Sequence, residues 1–382
     1  MNLLDNSVFL ARQVAREPNV FVGLISRMFG FFVDFIFNIV YAMSPVHSLG
    51  FTIIIVTIIF RACLLPTSLK AQKSMRKMQE LKPELDKIQA KYGSSKDPEI
   101  IKKMNAEKSA LMAKHGANPL KGCFPMLLQM PLFIGLNFII QQSFLYINRL
   151  GSVYYDLAVA LQRVPGINHI IAPSLCDDEL ARLPANHANV NRLIPQRMLE
   201  NAQEVNRLVY EGMPYEVARA QVGDMIYLNN PVDLSRVLNR FTVDNWLWLQ
   251  EQIPAYYWTA IAEINERRQA IESFFGLSMI EPSGWGWPSI IIPALVTITM
   301  FCSMWIGNQR NVGPNTDEKV VMQQRMMIVI MPLFLGFITV GFPAGLGLFW
   351  ITGQVFQGVT DFILLKKAGL PLKLPFVKKE AS

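Results

Sequence analysis

The sequence predicts an all-α polytopic membrane protein with a five-transmembrane-helix core, a cytoplasmic helical hairpin and a helical external insertion. Three observations carry this prediction. Of the 382 residues 51% are apolar and the mean hydropathy is +0.26, a balance unusual for a soluble chain. The apolar residues gather in blocks, Leu49 to Leu69, Cys123 to Ile147, Trp287 to Ile306, Met326 to Gly341 and Phe342 to Leu365. Most of these blocks are long enough to cross a hydrocarbon core of about 30 Å in helical form. Every lysine lies in Lys70 to Lys121, in the short loop containing Lys319, or after Leu365.

The segments follow in order. Residues 1–47 form an N-terminal segment in which Arg12 and Arg16 precede an apolar stretch with no small-residue cleavage site, so it is not read as a signal peptide. Arg27 and Asp34 interrupt Phe21 to Met43, which is expected to lie along the interface as an amphipathic helix, with a sixth crossing as the alternative. Residues 48–69 are the first transmembrane helix and 70–121 the hairpin. In the hairpin Met75, Met78, Leu81, Leu85 and Ile88 recur at helical spacing, Gly93-Ser94-Ser95 and Asp97-Pro98 break the run, and Ile100 to Lys114 resumes it. Pro83 is a candidate kink. Met75, Met78, Met104 and Met112 form a flexible apolar stripe that suits either mutual packing or capture of varied partners.

Residues 122–147 are the second transmembrane helix, and 148–286 are an insertion with helical patterns at Met198 to Tyr210 and Pro254 to Phe275. Trp246, Trp248, Tyr256, Tyr257 and Trp258 are its expected core. Residues 287–307, 326–341 and 342–365 are the third, fourth and fifth transmembrane helices, with a loop at 308–325, a tight turn at Gly341-Phe342-Pro343-Ala344-Gly345 and a basic tail at 366–382. Placing the lysine-bearing segments in the cytoplasm lets the five helices alternate without contradiction and leaves 148–286 outside.

Arg61 stands within the first spanning helix, nine positions before Lys70. An arginine at depth costs at least about 2.5 kcal/mol on insertion scales, so its presence asks for water, a partner or a function. Thr57 lies one turn earlier. Trp350, Gln354, Gln357 and Asp361 share a stripe of the last helix, Gln129 and Asn137 lie on the second, and Thr299 and Ser303 lie on the third. Each amide or hydroxyl could simply join two helices. Together with the arginine they point to a hydrated cavity lined by Arg61, Thr57, Gln129, Asn137, Thr299, Ser303, Trp350, Gln354 and Gln357.

The sequence has no phosphate-binding glycine loop, no clustered metal ligands and no paired carboxylates or nucleophile triad at depth, so no cofactor, metal or enzymatic activity is expected. His47, His115, His169 and His187 fall in loops or at helix ends, where a solvated imidazole is expected, and Cys63, Cys123, Cys176 and Cys302 are scattered. A transporter or channel for small solutes or anions is the alternative reading of an intramembrane arginine, although no internal repeat supports it. A structural assembly factor is a third.

Several motifs resemble the YidC/Oxa/Alb insertase family. They are Arg61 with Leu64-Leu65-Pro66, the stretch Gln72 to Tyr92, Asn118-Pro119-Leu120-Lys121-Gly122-Cys123-Phe124-Pro125 with Gln129-Met130-Pro131, and Pro343-Ala344-Gly345-Leu346 leading to Trp350. The resemblance implies a groove open to cytoplasm and lipid and closed outside, with Arg61 functional, Gln129 and Trp350 on its wall, and the hairpin receiving incoming chains. It implies a multi-pass insertase and chaperone of the bacterial cytoplasmic (inner) membrane. Its partners would be nascent membrane proteins, with the Sec translocon, the ribosome and anionic lipids as further candidates and no small-molecule substrate. The chain departs from many members in lacking a lipoprotein signal or a large domain after an extra N-terminal helix, and in carrying the insertion at 148–286.

Overall fold

The computed structural model describes residues 20–93, 97–116, 119–171, part of 201–221, 228–309 and 318–372. The chain divides into two compact units, Met1–Thr52 with Gly135–Glu281, and Ile53–Ile134 with Pro282–Ser382.

The first unit begins with α1 (Val20–Met43). Its buried stripe, Ser26, Gly30, Val33, Phe37 and Val40, follows helical spacing, while Met28, Phe31, Phe35, Ile39 and Met43 are exposed. Gly30 is where the neighbouring chain comes closest, since a Cβ there would lie 2.6 Å from the ring of Tyr146. The buried face meets α6 (Ser143–Tyr146) and the start of α7 (Asn148–Gln162). Asp34 accepts hydrogen bonds from the Asn148 backbone at 2.8 Å and from its amide at 2.7 Å, and Asn38 accepts one from Arg149 at 2.8 Å. Asp34 and Asn38 are therefore satisfied by the residues that follow α6.

Among the described residues four further helices complete this unit, with α8 (Ile167–Ile171), α9 (Pro231–Leu238) and α11 (Ala255–Glu272) packed on α7 and α10 (Val243–Gln252) on α8. Their starts are locally encoded. The Asn230 side chain accepts from Val232 N at the head of α9, and Thr242 with Asn245 forms a capping box on α10. Leu150, Tyr154, Leu157 and Leu161 are buried on one face of α7. The core also holds an ionic network. Arg268 pairs with Glu272 at 2.5 Å, Glu272 accepts from the Tyr154 hydroxyl at 2.5 Å, and the guanidinium lies 4.5 Å over the ring of Trp246. Burial pushes the Tyr154 phenol well above its ordinary range, with the Glu272 charge acting the same way. Of the five aromatic residues expected in this core, Trp246 is buried, Trp248, Tyr257 and Trp258 are half-buried, and Tyr256 is 86% exposed. Tyr256 sits in the first turn of α11 on the face opposite Ile261 and Asn265, so helical phase overrides its apolar character.

A two-residue antiparallel pair, β1 (Ser273–Phe274) with β2 (Leu277–Ser278), closes α11. His47 docks there instead of facing solvent. Its backbone N–H donates to Ala270 O at 2.7 Å, its Nδ1 donates to Ser273 O at 2.7 Å, and its ring lies against Phe274 and Phe275. These contacts hold it at φ 62°, a conformation that side chains other than glycine rarely adopt.

The helix α2 (Ser48–Glu80) runs unbroken through the predicted first span into the predicted hairpin. It gives way at Leu81, and Pro83 opens α3 (Lys82–Tyr92), as expected where a proline removes a helical hydrogen bond. The partner helix α4 (Pro98–Lys114) is capped by Asp97, whose side chain accepts from Glu99 N. The two are tied at their tip by Lys91 and the Tyr92 hydroxyl, both donating to Glu107, at 3.1 Å and 2.8 Å. No residue of α4 is buried.

In the second unit α5 (Pro119–Gln141), α12 (Ile291–Gln309), α13 (Glu318–Thr339) and α14 (Ala344–Lys367) complete the set, α5 running on past Gly135 into the first unit. Small residues let α12, α13 and α14 approach closely. Gly336 faces Thr297 and Pro293, Gly347 faces Ile292 and Thr339, and Gly358 faces Ser303. The predicted turn occupies residues 340–343, and is fastened to the lead-in of α12 by Ser283 N donating to Phe342 O and Gly284 N to Val340 O, each at 3.0 Å. Outside these contacts the helices present apolar side chains, as at Met327, Ile330, Phe334 and Phe337 of α13. Water would not tolerate such a surface, whereas lipid matches it.

Among the described residues four stretches are long and apolar enough to cross a membrane, Ser26–Met43, Ser48–Ser74, Ile291–Gln309 and Ala344–Lys367, and Gln129–Gln141 and Met326–Thr339 are shorter apolar helices. The chain is an all-α, multi-pass membrane protein. The first of these stretches is the segment expected to lie along the interface, and by length and composition it also meets the requirement for crossing.

Candidate functional site

Ser303 of α12 and Gln354 and Gln357 of α14 line a cavity of about 330 Å³ with Met304, Gly307, Asn308, Met327, Ile328 and Asp361. The lining combines amides, a hydroxyl and a carboxylate with thioether and aliphatic surface. Asp361 is held on both oxygens. Gln72 donates to Oδ1 at 3.2 Å and Gln357 donates to Oδ2 at 2.8 Å. Gly307 leaves room for this carboxylate, since a Cβ there would sit 3.1 Å from Oδ2.

Arg61 reaches the same helix one position before Gln354. Its guanidinium lies on Gly353, where a Cβ would stand 2.6 Å from Nη2 and 3.0 Å from Nε. Only a glycine admits the guanidinium at this distance. No carboxylate among the described residues lies within ion-pair distance of Arg61, and Asp361 is instead engaged by the two glutamine amides. The half-buried arginine therefore sits against the backbone at Gly353 instead of a neutralising acid.

The other predicted residues divide. Thr57 is buried, but its hydroxyl donates to Ile53 O of its own helix at 2.6 Å, and Thr299 donates to Leu295 O at 2.7 Å. Asn137 accepts from Gln141 at 3.0 Å within α5, in the part of that helix belonging to the first unit. Gln129 is half-buried and lies away from the cavity lining. Trp350 shares the stripe of Gln354 and Gln357 but is stacked on Phe133 at 5.5 Å and set edge-on to Phe342 at 6.0 Å, forming an aromatic plug instead of cavity wall. In the hairpin Met78, Met104 and Met112 are half-buried, and the Met75 side chain lies outside the described residues.

Asp361, placed by the sequence on the same stripe but not counted among the lining residues, joins them in the cavity. Gly353 and Gly307 carried no such signal, because the need for a missing side chain is set by residues far along the chain.

The family of the 60Kd inner membrane protein matches residues 41–176 and 247–369. The chain belongs to that family. The matched stretches of the 60Kd inner membrane protein family contain Arg61, Gly353, Asp361 and the whole cavity lining, and they leave out residues 177–246 of the insertion. Among similar proteins, the membrane protein insertase MisCA of Bacillus subtilis is 47% identical over 94 residues, 25% of this chain and 36% of the relative. Membrane protein insertase YidC 1 of Halalkalibacterium halodurans is 44% identical over 125 residues, 33% of this chain and 47% of the relative. Membrane protein insertase YidC of Anaeromyxobacter dehalogenans is 32% identical over 180 residues, 44% of this chain and 32% of the relative. The chain thus matches less than half the length of each of these three relatives.

Proposed function

We propose that this protein inserts nascent membrane proteins into the bacterial cytoplasmic membrane and helps them fold, without nucleotide and without covalent chemistry. The observation that carries this reading is the cavity among spanning helices that brings a hydroxyl, amides and a carboxylate together with apolar surface, with an arginine lying on the helix that forms one wall. Family membership and the names of the relatives support it.

A hydrated cavity within the bilayer shortens the apolar barrier that a polar segment must cross. A positive charge there attracts the acidic or polar tail of an incoming chain. Burial of the substrate's apolar helix in lipid then supplies the driving force, at about 25 cal/mol per Å² of apolar surface. The half-exposed methionines of the hairpin suit first contact with varied apolar segments. In this reading the lysine-bearing segments face the cytoplasm, where anionic lipid, the ribosome and the Sec translocon are candidate partners.

The test is photo-crosslinking from Gln354, on the cavity wall, to a nascent single-span protein during insertion into vesicles. Capture of the nascent chain at Gln354 and not at lipid-facing Phe334 is the expected result. Absence of any nascent-chain adduct at Gln354 while insertion proceeds would remove the cavity from the pathway.

A further inference from the structure

We propose that Phe275, at the tip of the β1–β2 turn, is a lipid anchor that seats in the headgroup–hydrocarbon boundary at the Ser48 end of α2 and sets the depth of that helix. This role is independent of what the protein inserts and gives part of the insertion a partner, the membrane surface. The strands pair Ser273 with Ser278 and Phe274 with Leu277, which leaves Phe275 and Gly276 as a two-residue turn. Both hold a positive φ, 49° and 82°. Glycine adopts this conformation freely and asparagine with little cost, whereas a bulky side chain is strained in it. Phe275 is also 76% exposed. Water would penalise this residue twice, for its backbone and for its ring, a combination that calls for a partner outside the chain.

The surroundings of Phe275 identify that partner as lipid. Ring contacts run from Phe51 to Phe274 at 5.3 Å and from Phe274 to Phe275 at 4.8 Å, and the His47 ring lies 5.4 Å from Phe275. Val46, next to His47, and Phe51 are themselves exposed. Phe51 heads a stripe of exposed apolar residues on α2, continued by Ile55 and Ile58 at spacings of four and three, in a stretch long and apolar enough to cross a membrane. The turn thus adds its ring where the apolar surface of a spanning helix ends. Residues 44–60 and 273–280 contain no Asp, Glu, Lys or Arg, so no charge has to follow the ring into the boundary, where apolar side chains bury their surface among acyl chains. The turn is also fixed to α2. His47 N donates to Ala270 O and its Nδ1 to Ser273 O, each at 2.7 Å, and the Phe274 ring occupies the space that a Cβ on Gly50 would need. The depth of Phe275 therefore sets the depth of the start of α2, and with it that of Arg61, thirteen residues after Ser48 and about 20 Å along the axis.

The full chain, with its four native cysteines replaced by serine and a nitroxide on Phe275→Cys, is reconstituted into phosphatidylcholine vesicles free of other protein. Electron paramagnetic resonance then reads collisions of the label with oxygen, which concentrates in lipid, and with a water-soluble nickel chelate. Oxygen is expected to dominate at Phe275→Cys, and the chelate at Tyr256→Cys on the exposed face of α11. Dominance of the chelate at position 275 would put the ring in water, and exclusion of both reagents would put it against protein, in this chain or a second copy. Either result overturns the proposal. A label on Val46→Cys next reports the same neighbourhood while position 275 is varied. Phe275→Asn suits the positive φ and keeps the turn while removing the ring, so the Val46→Cys label is expected to shift from oxygen towards the chelate. Phe275→Leu keeps an apolar side chain and is expected to leave the label at its wild-type value. A label unmoved by Phe275→Asn, or moved equally by both variants, overturns the anchor.

Discussion

Gly353 is as much a part of the Arg61 site as the guanidinium, because any side chain there would claim the space in which Nη2 and Nε lie. Gly353→Val is therefore expected to lower insertion of reporters with acidic tails as far as Arg61→Ala does, on the order of tenfold for loss of one charge-assisted contact, with Gly353→Ala intermediate. Arg61→Lys keeps the charge on a flexible stem and is expected to retain most of the rate. Initial insertion rates in reconstituted vesicles decide this, and a Gly353→Val protein as fast as wild type would show that the guanidinium works elsewhere. The sequence disclosed Arg61 through its cost at depth, and Ser303, Gln354 and Gln357 through polar residues placed where lipid would penalise them. The ring partners of Trp350, Phe133 and Phe342, were not legible, because the stripe gives direction but not partners and both lie on other segments. Thr57 and Thr299 spend their hydroxyls on their own helices, a choice that spacing does not reveal.

Among the elements, α11 carries the most demanding packing, with Arg268 and Glu272 both buried and paired to each other. Removing one partner strands the other charge, so Glu272→Ala is expected to destabilise the first unit by about 3 kcal/mol, whereas replacing both residues by leucine or methionine costs far less. Unfolding followed by the fluorescence of Trp246, which lies under Arg268, separates these cases. A single mutant as stable as the double would show that the charge is not trapped. At the hairpin tip the Tyr92 hydroxyl and Lys91 hold the Glu107 carboxyl below its ordinary 4.5, and Glu107 holds the Lys91 ammonium above its ordinary 10.5. A depressed acid contributes above its ordinary value and loses that contribution as pH falls through it. A raised base contributes below its ordinary value and loses it as pH rises. The tip is expected to be tightest between 4.5 and 10.5 and to loosen at both ends, and distances between spin labels on α3 and α4 should lengthen there in wild type but stay level in Glu107→Gln. The helices α3 and α4 were legible because apolar period, Gly93 and Asp97-Pro98 agree. The strands β1 and β2 were not, since two residues give no period to read.

For the whole molecule the open choice is the path of α1, which is long and apolar enough to cross yet is expected to lie along the outer interface. Its partners favour the interface. Asp34, near the middle of the helix, is bonded to Asn148, and Asn38 to Arg149, the residues directly after α6 where the insertion begins. Its far end leads through Ser44 and Pro45 to His47, which is bound to Ala270 and Ser273 of that same insertion. A crossing helix would carry its midpoint to the bilayer centre and so would have to take Asn148 and Arg149 with it, at a cost of several kcal/mol for the arginine (about 2.5 or more on insertion scales). Single cysteines in a background with all four native cysteines replaced by serine test this together with the topology. Tyr256→Cys, on the exposed face of α11, should react with a membrane-impermeant maleimide in intact cells, and Ser109→Cys on α4 only after permeabilisation. Arg16→Cys, ahead of α1, should behave like Tyr256→Cys if α1 stays on the outer surface, since the chain has then not crossed before α2. Protection of that cysteine in intact cells, with Tyr256→Cys still reactive, would make α1 a sixth crossing, and would place the N-terminus beside the hairpin.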